Sequence, residues 1–460
     1  MVDTYVVPRG LKGVVVTDTE IGDVRGQEGF YHYRQYSAIE LATRCSLEDV
    51  WHLLIDGCLP DWRQREAFAV EIQPLRHLDP RLKTILRAVA NRPVGVAGGL
   101  PTRAGDSGMG GGSSTGAGAA SGLPAVGGAV GDAAGAASGL PAVGGAVGGA
   151  VGGAVGDAVG DAVGMGGRSS TGAGVAPMDG LRTALSMAGS LREMRPLMDI
   201  DEDRRRRDAL YACAVTPTIL AALHRLKRGL EPIEPRDDLP YAANYLYMMT
   251  GELPEPEKSK AIESYLISTI DHGFNASTFT ARVIASTGAD LMACLVGALG
   301  SLSGPLHGGA PSRALETLDA IGRPENADAW LRAKILVGER IMGFGHPIYR
   351  TEDPRSRMLK GIAQRFGGDL VEFAILVEQR VLALLEELKP GRELHTNVEF
   401  YAGVVMELCG IPREMFTPTF ACSRVIGWCA NVLEQARDSR IIRPSARYVG
   451  PEAPQPLPPG

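Results

Sequence analysis

The 460-residue chain is short of aromatic residues, which make up only 6% of it, and none occurs between Phe68 and Tyr211. It also lacks paired cysteines. The seven present (Cys45, Cys58, Cys213, Cys294, Cys409, Cys422 and Cys429) are odd in number and contain no CxxC, which argues against a disulfide framework and against a structural zinc site. Positive charge is in slight deficit: 47 Lys and Arg against 53 Asp and Glu give a net charge of −6. Such a chain is a poor nucleic-acid binder, because neutralising phosphates takes clustered cations. The one basic run, Arg204–Arg207, is flanked by Asp201, Glu202, Asp203 and Asp208 and reads as a solvated helix face. Met1 to Thr19 holds no apolar stretch of signal-peptide length, so a reducing cytoplasm is the expected location. Neither GxxxxGK[ST] nor GxGxxG occurs anywhere, which removes the common phosphate-cradling loops.

Glycine is abundant but unevenly placed, with 29 of the 59 lying between Gly95 and Gly174. GMGGGSSTGAG at Gly108 returns almost unchanged as GMGGRSSTGAG at Gly164, and GLPAVGGAV occurs at Gly122 and Gly139. Solenoid repeats need longer periods and larger apolar side chains. Methyl and isopropyl groups do not offset the ordering entropy of so much glycine, so a disordered insertion over 95–176 is expected. Ala133–Gly156 is uncharged and carries overlapping GxxxG steps, but nine of its 24 residues are glycine and only one is leucine. That is too weakly apolar for a membrane span.

The remainder reads as helix after helix. Apolar residues recur at helical spacing over Ile39–Leu59, Leu181–Leu191, Tyr211–Leu226, Tyr241–Thr250, Ile262–Asp271, Ala289–Leu299, Leu331–Met342 and Leu370–Leu388. Strand-like alternation is confined to stretches such as Gly13–Thr17 and Phe30–Tyr33. A mostly α, enzyme-sized fold follows. The tail from Gly450, with its five prolines, is expected to be extended or disordered.

Of eight histidines, His272, His307 and His346 stand apart, because each sits beside glycine where a helical pattern stops. Glycine lets a backbone approach a ligand closely. No HxxxH or HExxH spacing links these histidines, so zinc is not expected. Neutral imidazoles on such loops suit hydrogen bonding to carbonyl oxygens that gain charge; satisfied structural histidines are the alternative. Glu399, between apolar neighbours in Asn397-Val398-Glu399-Phe400-Tyr401, is a candidate base if buried and an ordinary surface residue at a helix start if not. Arg350, Arg355, Arg424 and Arg443 punctuate the C-terminal third. They match carboxylate geometry, or else form plain surface pairs.

Together these motifs resemble the citrate synthase family. The matching pieces are Asp271-His272-Gly273-Phe274-Asn275-Ala276-Ser277, Gly304-Pro305-Leu306-His307-Gly308-Gly309, Gly343-Phe344-Gly345-His346-Pro347 through Asp353-Pro354-Arg355, and Asn397-Val398-Glu399-Phe400-Tyr401-Ala402-Gly403. Their order and spacing cover essentially the whole chain outside the insertion and the tail.

The resemblance implies a two-domain helical homodimer of the short branch with a shared active site. A large domain would comprise 1–94, 177–307 and 409–449, and a small domain, 308–408, would close over acyl-CoA and oxaloacetate. No metal, cofactor, nucleic acid or membrane is implied. By resemblance, Glu399 would remove a methyl proton from acetyl-CoA, His307 would hydrogen-bond the thioester oxygen, and His346 would polarise the oxaloacetate ketone. His272, Arg355 and Arg424 would hold oxaloacetate, with Arg443 reaching in from the other subunit. One departure is that the family usually has Asp where this chain has Glu399. The expected function is citrate formation from acetyl-CoA. The alternatives are 2-methylcitrate formation from propionyl-CoA and a catalytically weak binding paralogue.

Surface loops absorb length cheaply, at about 0.6 kcal/mol per doubling. Deleting 98–174 should therefore leave dimer formation and turnover intact, as measured by sedimentation and CoA release. Loss of either on deletion would show that the segment is structural.

Overall fold

Capping residues decide where the helices begin. Ser46 accepts from the Asp49 amide while the Asp49 carboxylate accepts from the Ser46 amide. This reciprocal cap starts a new helix in the middle of the apolar pattern Ile39–Leu59. That stretch is consequently two helices, α1 (Ala38–Arg44) and α2 (Leu47–Asp56), where periodicity alone read one. α2 ends on left-handed Gly57, as the glycine signal implied.

The computed structural model describes residues 7–11, 13–90, 175–304, 307–308, 310–345, 348–349, 351–391, 394–438 and 440–458. The glycine-rich segment expected to be disordered lies outside the described residues, apart from its last two positions, 175 and 176. A three-stranded antiparallel sheet precedes the helices: β1 (Gly22–Arg25), β2 (Phe30–Tyr33) and β3 (Tyr36–Ser37), in that order. Gly22 pairs with Tyr33, Arg25 with Phe30 and Tyr33 with Tyr36. Alternation along β2 buries Tyr31 and Tyr33 on one face. Gly13–Thr17, which alternates similarly, is largely exposed coil and pairs with no strand among the described residues.

After α2 come α3 (Trp62–Ile72), α4 (Pro80–Ala90), α5 (Pro177–Leu191) and α6 (Glu202–Lys227). They are followed by α7 (Tyr241–Thr250), α8 (Pro256–Ser268), α9 (Ala276–Ala285) and α10 (Leu291–Leu302). Then come α11 (Ala310–Ile321), α12 (Ala327–Leu336), α13 (Pro354–Phe366), α14 (Asp369–Leu388), α15 (Val398–Leu408) and α16 (Phe416–Gln435). The apolar pattern Leu331–Met342 overran α12, which stops six residues earlier, because Val337 and its neighbours turn out to solvent. Among the described residues, α6 is the single helix long and apolar enough to cross a membrane. Its apolar stretch is instead almost wholly enclosed, packed by α5, α7 and α16.

The basic run at the start of α6 is only in part a solvated face: Arg207 is exposed, but Arg205 and Arg206 are engaged by the fold. Arg206 is gripped by the carboxylates of Asp56 and Glu71, and Arg204 pairs with Asp208. Acidic residues brought in from α2 and α3 thus absorb the charge of Arg206, while the partner of Arg204 belongs to α6 itself. Helices α11 to α15 pack chiefly on one another and meet the rest through α1, α8 and α16.

The centre of the site is set by one close approach. α16 passes so near the segment after α8 that a Cβ on Gly427 would stand 2.0 Å from the Ile270 carbonyl oxygen. Only glycine fits there. Gly427→Ala should lower stability by about 1–3 kcal/mol through forced displacement of α16, read as a lower urea midpoint at unchanged slope. An unchanged midpoint would mean the approach is not tight.

Candidate active site

Five of the seven predicted side chains come together where the α8–α9 segment meets the N-termini of α13 and α15 and the middle of α16. The α8–α9 segment is held from below by the sheet. Tyr31 and Tyr33 donate their hydroxyls to the carbonyls of Ser268 and Ile267 at 2.9 and 2.8 Å. His272 is buried in this segment. Its ring lies 5.4 Å from Tyr31 and 5.5 Å from Tyr349, and its Nε2 is 2.9 Å from the Tyr349 hydroxyl. Asn275 then caps α9 by accepting from the Thr278 amide.

His307 sits just beyond α10, its loop fastened on both sides. The Gly308 amide donates to Leu302 and the Gly308 carbonyl accepts from Thr417. Its Nε2 is 2.8 Å from the Ser277 hydroxyl oxygen, which also accepts from the Trp428 indole at 3.2 Å. The Ser277 hydroxyl hydrogen has two acceptors in reach, the Asn275 side-chain oxygen at 2.8 Å and His307. When it goes to His307, the ring hydrogen resides on Nδ1, which becomes the donor to any bound carbonyl. Burial, helped by the Arg424 cation, holds the His307 pKa down at about 4, so the ring is neutral at physiological pH.

The N-termini of α13 and α15 are tied by Asp353. Its carboxylate accepts from the Arg355 amide and Nε at 3.0 Å each, from Arg355 Nη2 at 2.8 Å, and from the Val398 amide at 3.1 Å. Asp353 is 1% exposed and Arg355 3%. The guanidinium also lies over the Tyr31 and Tyr349 rings at 5.8 and 5.9 Å. Immediately after Val398, Glu399 occupies the first turn of α15, with its amide bonded to the cap residue Asn397. It is half-buried, and burial raises its pKa above the usual carboxylate value despite the nearby Arg355 cation. A carboxylate in this state is a stronger base than one in water.

Arg424 projects from α16 and is 2% exposed. Its Nε donates to the Thr269 carbonyl at 3.0 Å and its guanidinium covers the Phe420 ring. Its two terminal nitrogens make no hydrogen bond among the described residues. Burial presses its pKa down, opposed by the Asp271 carboxylate, with which it forms no direct ion pair. A buried cation with open donors is matched to an incoming carboxylate.

Of the other two predicted residues, His346 lies outside the described residues, and the described part of the Gly343–Gly345 segment is bonded to the residues just before α15. The Gly345 amide donates to His395, the Asn397 amide donates to Gly343, and Phe344 bridges Thr396. Gly343, at φ +88°, leaves only 2.8 Å from a would-be Cβ to Phe400, so Gly343 packs directly against α15. Arg443 is exposed in the extended segment after α16, with no hydrogen bond or ion pair to the cluster among the described residues. Sequence reasoning missed Asp353, Ser277, Tyr31, Tyr349 and Trp428 as supports. The Asp-Pro pair announced a helix start, but nothing local announced the second bond to Val398.

The arrangement offers a desolvated carboxylate base, a neutral imidazole donor and buried cations for a small polyanion. Among the described residues, no group of three or more His, Cys, Asp or Glu is placed to hold a metal ion. The family whose model is described as "Citrate synthase, C-terminal domain" matches residues 10–99 and 167–445. The chain belongs to the citrate synthase family. The match passes over 100–166, inside the glycine-rich repeats. The citrate synthase of Deinococcus radiodurans is 41% identical over 280 residues, 60% of this chain and 73% of that protein. The 2-methylcitrate synthase of Mycobacterium tuberculosis is 32% identical over 449 residues, 97% of this chain and 91% of that protein. The crystal structure of the Pyrobaculum aerophilum citrate synthase superposes with a TM-score of 0.74 at 31% identity, covering 98% of this chain and 94% of that one. Like its family, the chain is an acyltransferase that forms a carbon–carbon bond between an acyl-CoA and oxaloacetate.

The His307 ring gives a direct check. Its folded-state pKa lies below the unfolded value of about 6.5, so the unfolded chain binds the extra proton first. This group should therefore cost stability progressively as pH falls from about 6.5 to about 4. An NMR titration of His307, assigned by comparison with His307→Gln, should show a midpoint near 4. A midpoint near 6.5 would show the ring to be solvated.

Proposed function

We propose that the enzyme condenses acetyl-CoA with oxaloacetate to give citrate and free CoA, with Glu399 as the base. The observation that carries this reading is the convergence of a desolvated Glu399 with neutral His307 and buried Arg424. Glu399 takes a proton from the acetyl methyl group, and His307 donates a hydrogen bond to the thioester oxygen on which enolate charge develops. The methyl carbon then attacks the ketone carbon of oxaloacetate, and His346 delivers a proton to the ketone oxygen. Water attacks the resulting citryl thioester, the C–S bond breaks, and CoA leaves as the thiol. Arg424, Arg355 and His272 hold the oxaloacetate carboxylates. The thioester supplies the activation, so this scheme needs no cofactor.

In this reading residues 308–408 form the small domain that closes over the substrates, with 1–94, 177–307 and 409–449 as the large one. The exposed position of Arg443 supports a role in the site of a partner subunit, making the working form a homodimer. Seven unpaired thiols are in keeping with the cytoplasm. Propionyl-CoA is the second donor to consider, because the M. tuberculosis 2-methylcitrate synthase aligns with nearly the whole chain. One methylene is worth only about 1–3 kcal/mol of discrimination.

CoA release with oxaloacetate, measured in parallel with acetyl-CoA and propionyl-CoA, tests this. Wild type should release thiol, the ratio of the two rates naming the donor, and Glu399→Gln should lose about 10²- to 10⁴-fold. No release by the folded wild-type protein with either donor would leave only the binding paralogue.

A further inference from the structure

The core-facing stripe of α14 contains one residue that does not belong there by polarity. Val371, Ala374, Val377, Val381, Leu384 and Leu385 are buried, and Glu378 is buried among them. Enclosing a carboxylate is costly unless its lone pairs are filled, and here they are. Glu378 Oε2 accepts from the Tyr401 hydroxyl at 2.6 Å and from Lys360 Nζ at 2.5 Å, and Oε1 accepts from the Thr396 hydroxyl at 3.1 Å. Thr396 in turn accepts from the Ser356 hydroxyl at 2.9 Å. Thr396 lies three residues before Glu399 and Tyr401 two residues after it.

We propose that Glu378 is a positioning residue for the catalytic base: by gripping Thr396 and Tyr401 together, it fixes the backbone that carries Glu399. The geometry favours this over a purely structural role. Both tethers end on the two flanks of Glu399, and the Asp353 bond to Val398 supplies a third point between them. The turn is thereby held at residues 396, 398 and 401, while the Glu399 carboxylate itself has no hydrogen-bond or ion-pair partner among the described residues. Ser356 and Lys360 extend the grip to α13, which bears Arg355. Proton removal tolerates little displacement: about 1 Å can cost about a hundredfold in rate. A base one methylene longer than aspartate has more freedom to lose, so it depends more on a rigid support.

This inference rests on the assignment of Glu399 as base, and the test separates the two. The variants are Thr396→Val, Tyr401→Phe and Glu378→Gln, assayed as folded protein for CoA release with ordinary and methyl-deuterated acyl-CoA. The expected result is a fall in kcat of about 10- to 100-fold for Glu378→Gln and less for the two single-bond variants. Each KM should stay within about twofold, and a larger primary isotope effect should appear as proton removal becomes limiting. A role confined to stability would lower the melting temperature without moving the isotope effect. Thr396→Val and Tyr401→Phe, nearly isosteric, decide the matter if Glu378→Gln does not fold. An active wild type with unchanged kcat and isotope effect in these variants would overturn this inference alone. An inactive wild type would overturn it together with the assignment of the base.

Discussion

The Asp353 carboxylate is the interaction on which the site depends. It starts α13, neutralises Arg355 and holds the first amide of α15, so one buried anion sets the distance between a buried cation and Glu399. Burying such a pair earns little net stability, yet removing one partner from such an arrangement typically costs about 3–5 kcal/mol. The pair is therefore better understood as fixing geometry than as holding the fold together. The fold itself rests on the apolar core around α6 and α16, where Trp51, Trp428, Tyr245 and Tyr265 are fully enclosed.

Around that anchor, charge is left deliberately unbalanced. Asp353 answers Arg355, but no carboxylate directly answers Arg424, and Glu399 is kept from a direct ion pair among the described residues. Desolvation then moves the groups in useful directions. It raises the base, lowers the imidazole so that it stays neutral, and leaves a guanidinium with open donors. Each of these costs folding free energy. Together they form a preorganised environment that does not have to reorient during reaction.

How much of this was legible in advance differs residue by residue. His272, His307, Arg355 and Glu399 were visible because glycine, proline and cap residues mark where helices stop or start, and chemistry sits there; Arg424, in the middle of α16, was visible only through residue type and the family resemblance. The supports were not visible. Ser277 looks like an ordinary helix-start serine, yet it lies between His307 and Trp428, 151 residues further along. Glu378 looks like one more charge on a helix, and only its enclosure gives it meaning. The same blindness misjudged Arg206, whose partners Asp56 and Glu71 come from helices well over a hundred residues earlier.

By itself the sequence determined the class of structure, the positions of most helices, and the loops on which the reactive side chains sit. These follow from local forces: helical periodicity, capping and backbone freedom act within a few residues. Tertiary structure alone decided protonation and register. The neutral state of His307, the raised basicity of Glu399, the tethering of residues 396 to 401 and the approach of α16 at Gly427 all depend on which distant groups exclude water or supply a hydrogen bond. Desolvation and long-range pairing are properties of the packed whole, and no window of sequence contains them.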